Sequence, residues 1–120
     1  MKAVYVQRGE AIDHIPASDL AAGSVVVQGK LVGITKLDIK AGVLGALALT
    51  GVFDVAKTAN EAIATGAPIY WNAGDAVATA SADNGLTGGD KVDYHYLGLA
   101  IAATAAAENS VRILLNAGNL

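Results

Sequence analysis

The stretch GSVVVQGKL, residues 23–31, comes closest to an enzymatic motif, because a glycine followed by Gly-Lys is typical of a phosphate-binding loop. That loop needs four residues between its first glycine and the Gly-Lys pair, and Ser or Thr after the lysine. Here five residues intervene and Leu31 follows. Three consecutive valines also resist the positive φ angles that the loop requires. We therefore expect a strand and a turn at this position, with no bound nucleotide or other cofactor.

Few other side chains could support catalysis or bind a metal. The histidines are His14 and His95, and the chain has no cysteine. Asp93 and His95 would share one face of a strand, but no third metal ligand accompanies them. Asp83 and Asp90 do not have the spacing of a calcium loop, and no serine lies in a Gly-x-Ser-x-Gly motif. The sequence therefore predicts a protein that is not an enzyme and has no metal site.

The composition limits the partners of the chain. Its net charge is −3 and its charged fraction is 16%, so it lacks the basic face that phosphate contacts with nucleic acid require. The longest apolar runs, at residues 41–49 and 97–103, are too short to span a bilayer, and the start lacks the apolar core of a secretion signal. We expect a soluble protein that is made in the cytoplasm and binds neither nucleic acid nor membrane.

Alternating apolar residues and turn glycines predict a mainly β chain. We expect one domain over residues 1–120, folded as a small antiparallel barrel or sandwich. For residues 100–107, a helix favoured by the alanines competes with the strand, turn and strand that we prefer. The expected strands are at residues 25–28, 31–35, 46–50, 51–55, 68–72, 76–79, 97–102 and 111–115.

One short helix is predicted at about residues 58–65. Thr58 could cap its N-terminus, and Glu61 has the position of the glutamate in a capping box. Gly66 could end the helix, and Pro68 would prevent its continuation.

Self-association is expected because the core is thin. Hydrophobic residues make up 53% of the chain, but aromatic residues only 5%, and many of the others are alanine. Small proteins with such cores are often reinforced by oligomerisation. Residues 1–15, bounded by Pro16, could form an N-terminal arm that binds a neighbouring chain, or an edge strand within the protein's own sheet. The candidate interface residues are the arm's apolar residues and the aromatics of two strands: Val4, Tyr5, Val6, Tyr70, Trp71, Tyr94 and Tyr96.

The segment GVFDVAKTANEAIATGAPIYWNA resembles the small cement or decoration proteins of tailed-phage capsids. LVGIT upstream and YLGLAIAATAAAENSVRILLN downstream fit the same family, some of whose members carry a recombinase label. The resemblance extends from about Tyr5 to Asn116. The stretch 83–96 is longer and more polar than is usual in the family, and we expect it to be an exposed tip.

The resemblance implies a structural virion protein that binds the outside of a phage capsid. It implies a homotrimer that stabilises contacts between major capsid subunits, with self and the major capsid protein as partners. The sequence is also compatible with two alternatives: a nucleotide-dependent recombination factor, and a generic oligomeric β-module of a prophage. The failed phosphate-loop motif and the missing basic face count against the first alternative.

Overall fold

The computed structural model describes residues 2–118, which form nine β-strands and one turn of 3-10 helix at Gly88–Asp90. The predicted mainly β fold is confirmed, with two antiparallel sheets. The strands are β1 (Ala11–His14), β2 (Val25–Gln28), β3 (Leu31–Ile34), β4 (Gly45–Ala48), β5 (Val52–Ala56), β6 (Pro68–Asn72), β7 (Val77–Thr79), β8 (His95–Ala100) and β9 (Ser110–Leu115). Residues 100–107 contain the predicted strand end and turn and are not helical.

The chain divides into two compact units that interleave in sequence. The first unit runs to Val26 and resumes at Gly33–Leu49, and the second comprises Val27–Val32 and the chain from Thr50 onward. The strand order is β1-β4-β3-β2 in the four-stranded sheet and β5-β9-β8-β6-β7 in the five-stranded sheet.

The first unit has a small aliphatic core. Leu47 of β4 and Ile34 of β3 are buried, as is Ile39 from the loop before β4, whose side chain lies against Gly45. A Cβ on Gly45 would overlap the side chain of Ile39, so this close approach requires glycine. The buried Thr35 hydroxyl donates to the Ala21 carbonyl at 2.9 Å and thereby ties the loop before β2 to the end of β3.

The second unit is built around the β5-β9-β8 pairings. Residues of β9 alternate between buried and exposed, as the period of a strand requires, and Val111, Ile113 and Leu115 point into the core. Ile69 of β6 and Leu97 of β8 complete this core. All of these side chains are aliphatic, in agreement with the low aromatic content of the chain.

The helix predicted over residues 58–65 is wrong, because long-range contacts of this segment replace the capping interactions. The carboxylate of Glu61 accepts hydrogen bonds from the Thr79 hydroxyl at 3.1 Å and from the Ala80 N–H at 3.0 Å. Ile63 forms an isolated β-bridge with Thr104, with N–H···O distances of 2.9 and 2.8 Å. The segment is therefore an irregular connection with a turn at residues 59–60, held by residues that lie far away in sequence.

Lys57 is the one buried lysine among residues 2–118, and its side chain is only 5% exposed. Its ammonium donates to the carbonyls of Thr58 at 2.9 Å, Glu108 at 3.0 Å and Ala106 at 3.4 Å. An ammonium has three donors, so these three carbonyls satisfy it without a carboxylate. Lys57 thus joins the end of β5 to the loop that leads into β9.

Replacing this lysine tests its structural role. Lys57→Met should lower the free energy of unfolding by about 1–3 kcal/mol, because buried carbonyls would lose their donors. Urea unfolding followed by circular dichroism measures the difference. Lys36→Met, at an exposed lysine, is the matched control and should change stability by no more than about 0.5 kcal/mol. Equal stability of the two variants would contradict the structural role of Lys57.

Candidate interaction surfaces

The predicted aromatic residues of β6 and β8 lie together in the second unit. Tyr70 pairs with Tyr96 and Trp71 with His95 across the two strands, after a register shift between Ile69 and Tyr70. The Tyr70 and Tyr96 rings meet edge to face, with centroids 5.8 Å apart and planes at 73°. This is a favourable arrangement for two aromatic quadrupoles.

Two of the tyrosine hydroxyls in this cluster have internal partners. The Tyr96 hydroxyl donates to the Ala117 carbonyl, and the Tyr94 hydroxyl lies 3.3 Å from the amide nitrogen of Asn72, which donates to it. Burial, and secondarily the neighbouring Tyr70, raises the pKa of Tyr96 above its ordinary value. These bonds fix the rings, so the cluster presents preformed aromatic faces.

An open cleft of about 490 Å³ adjoins the tyrosine pair, and its lining lies within the second unit. Tyr70, Tyr94 and Tyr96 form part of its wall, with Lys30 at the turn of the β2–β3 hairpin. A smaller cavity of about 260 Å³ lies beside Trp71 and is also lined by Tyr94. The structure therefore brings together the four aromatic residues predicted from sequence in β6, β8 and the residue before β8.

The residues considered for catalysis and metal binding are also placed. His95 and Asp93 both line the cleft, whereas His14 lies in β1 of the first unit. Asp93 and Asp83 both form ion pairs with Lys91, at 3.6 and 3.8 Å. Within residues 2–118, no three His, Cys, Asp or Glu side chains are grouped as metal ligands.

The segment 23–31 forms the strand and turn that its sequence predicts. β2 covers Val25–Gln28, and a turn at Gly29-Lys30 leads directly into β3. Gly29 has a φ of 62°, which glycine adopts without strain. A strand follows the Gly-Lys pair, where a phosphate-binding loop would be followed by a helix.

The N-terminal segment is exposed. Residues 2–9 form no strand, and Val4, Tyr5 and Val6 are 67%, 82% and 85% exposed. The strand in this part of the chain is β1, which pairs with β4 from Ala11↔Ala48 to His14↔Gly45 and lies at the edge of its sheet. Of the described residues in the segment 1–15, for which an arm or an edge strand was expected, only Ala11–His14 form a strand.

An apolar groove of about 420 Å³ crosses the first unit. Its floor includes the small residues Ala11 and Ala46, which belong to β1 and β4. Its walls carry three exposed apolar side chains: Leu37 at 76%, Val43 at 53% and Leu44 at 60% exposure.

The groove was not predicted from the sequence. The available signal is Leu37, an apolar residue within the charged run Lys36 to Lys40. A second signal is Val43-Leu44, which directly follows a turn glycine. Neither signal shows that Leu37 and Val43-Leu44 line the same groove.

Exposed apolar side chains and half-buried aromatic rings on a small β-sheet protein are typical of proteins that bind other proteins. The chain belongs to the phage cement protein family, whose model matches residues 6–115. The resemblance noted from sequence is thus confirmed, and the family gives the chain a structural role in the phage capsid. No curated protein and no solved structure matches the chain.

No helix within residues 2–118 is long and apolar enough to cross a bilayer.

The environment of Tyr96 predicts a change in stability at alkaline pH. A raised pKa in the folded state means that neutral Tyr96 stabilises the protein below the ordinary tyrosine pKa of about 10. This contribution is lost as the pH rises through the raised value. The loss of unfolding free energy between about pH 9 and pH 12 should therefore be smaller in Tyr96→Phe than in the parent protein.

Urea unfolding at a series of pH values measures this slope. Tyr5→Phe, which removes a largely exposed hydroxyl, is the control. An unchanged slope in Tyr96→Phe would show that Tyr96 does not contribute to the alkaline loss of stability.

Proposed function

We propose that the protein binds the outer surface of a phage capsid as a homotrimer and stabilises contacts between major capsid subunits. The observation that carries this proposal is the family match over residues 6–115, in a chain whose described residues expose apolar surface on both units. A protein that strengthens a preformed shell needs adhesive surfaces, and buried apolar contacts supply most of the free energy of such association. The proposed location is the virion surface, after synthesis in the host cytoplasm.

The seven candidate interface residues receive two roles in this proposal. Val4, Tyr5 and Val6 contact a neighbouring subunit, since their side chains are the most exposed apolar group near the N-terminus. The aromatic cluster at Tyr70 and Trp71, with its two tyrosine neighbours, contacts the major capsid protein. Half-buried, preordered aromatic rings beside an open cleft are typical of interface hot spots.

We also propose that residues 1–120 act as one cement domain, in which residues 1–15 supply an arm followed by the edge strand β1. The family match runs without interruption through both compact units. The chain enters the second unit at Val27–Val32 before it completes the first, so the two units are not successive segments of the chain.

Binding to capsids tests the proposed function. Purified protein is mixed with capsids assembled from the major capsid protein alone, and bound protein is measured by co-sedimentation and located by cryo-electron microscopy. We expect saturable binding, trimeric density on the outside of the shell, and a raised melting temperature of the capsid. Absence of binding, or bound monomers, would overturn the proposal.

Deletion of residues 1–7 tests the arm. Residues 2–7 are exposed and form no strand, so the truncated protein should keep its circular dichroism spectrum and melting temperature. It should bind capsids at least tenfold more weakly than the full chain. If the deletion instead unfolds the protein, the segment belongs to the folded body and the arm proposal is wrong.

A further inference from the structure

We propose that the groove of the first unit receives Val4, Tyr5 and Val6 of a second copy of the chain, so that neighbouring subunits exchange arms. This inference rests on the self-association proposed above and specifies its contact. Both the arm and the groove belong to the first unit.

The shape of the groove suits one large side chain between smaller ones. The floor is formed by alanines of β1 and β4: the cross-strand pair Ala11↔Ala48 and the neighbouring Ala46 lie on the same face of the sheet. Because these side chains are small, they leave space above the floor for a larger one. Leu37 and Leu44 stand at the walls with most of their surface exposed. A tyrosine ring seated on such a floor would cover both leucines at once.

The chemistry of the two surfaces also matches. The segment Val4-Tyr5-Val6 carries no charge, and the centre of the groove is apolar. Charges lie at the rim of the groove, where Lys40 pairs with Asp19 at 3.6 Å, and Lys36 and Asp38 flank Leu37. An apolar centre with a charged rim is the usual anatomy of a protein interface.

The arm of the same chain does not occupy this groove. Residues 4–6 remain at least 67% exposed although Ala11, at the floor of the groove, is only five residues after Val6. The intervening segment is turned: Gly9 has a φ of 79°, and the Gln7 side chain donates to the Ala11 carbonyl at 3.0 Å. From Ala11 to Tyr5 an extended arm spans about 20 Å, enough to reach an adjacent subunit.

The symmetry of this contact agrees with a ring. The arm and the groove are different surfaces, so each chain donates one and receives one in a head-to-tail contact. Head-to-tail contacts produce closed rings when the rotation between copies closes. A ring of three is the arrangement that the proposed trimer requires.

The chain has no cysteine, which permits a specific cross-linking test. Tyr5→Cys and Leu37→Cys are purified separately, mixed and mildly oxidised, and the products are separated on a non-reducing gel. We expect a disulfide between the two variants. Leu86→Cys replaces a leucine that is 53% exposed, belongs to the second unit and does not line the groove, and it is the matched partner for Tyr5→Cys. It should cross-link at least tenfold less.

The double variant Tyr5→Cys with Leu37→Cys distinguishes exchange from self-docking. Arm exchange predicts covalent oligomers that end at the trimer. A product that migrates only as a monomer with an internal disulfide would show that the arm binds its own groove and would overturn the inference. Equal cross-linking of Tyr5→Cys to the groove and to the control position would also overturn it.

Variants that contain no cysteine supply a second test, which needs no cross-linking. Tyr5→Ser and Leu44→Ser should each raise the concentration needed for half-assembly at least tenfold in multi-angle light scattering, with unchanged circular dichroism spectra. Capsid binding is measured on the same samples. Specific cross-linking without capsid binding would overturn the proposed function alone, whereas capsid-bound trimers without cross-linking at Leu37 would overturn the arm exchange alone.

Discussion

The buried ammonium of Lys57 is the interaction on which the second unit depends most directly. With only 5% aromatic residues, the chain has few large rings that could hold its loops against the core. Instead, the Lys57 ammonium donates hydrogen bonds to three backbone carbonyls. One belongs to the adjacent Thr58, and the others belong to Ala106 and Glu108, about fifty residues later. Because an unpaired buried charge is costly, the loop before β9 must close over it. Closure sets the start of the β5–β9 pairing, which runs from Ala56↔Ser110 to Val52↔Leu114.

Small residues determine the rest of the packing. A Cβ at Gly98 in β8 would overlap the Leu114 carbonyl of β9, so glycine allows the two backbones to lie close together. Gly45 does the same for the side chain of Ile39 in the first unit. Close backbone packing permits a compact core without large side chains. It also leaves apolar residues outside that core, among them Leu37 and Leu44.

Those outer apolar residues connect the fold to the family. A cement protein adheres to a capsid, and it therefore benefits from apolar surface that a protein without partners would keep buried. The described residues form three such surfaces: the groove of the first unit, the aromatic cluster and the segment 2–9. The aromatic cluster is rigid, since the hydroxyls of Tyr94 and Tyr96 are hydrogen-bonded within the unit. The segment 2–9 forms no strand and is exposed, so it is free to bind a partner.

The sequence by itself determined most of the strands, because the period of two is a local property: PIYWN at residues 68–72 became β6, and the alternation at residues 111–115 lies within β9. It also identified the aromatic residues that the β6–β8 pairing brings together. Tertiary structure alone decided the segment 58–65, where Glu61 binds Thr79 and Ala80 in preference to capping a helix. It alone formed the groove, and it alone buried Lys57. The physical reason is the same in each case: these partners lie far apart in the chain, and local periodicity carries no information about which distant backbone a side chain will meet.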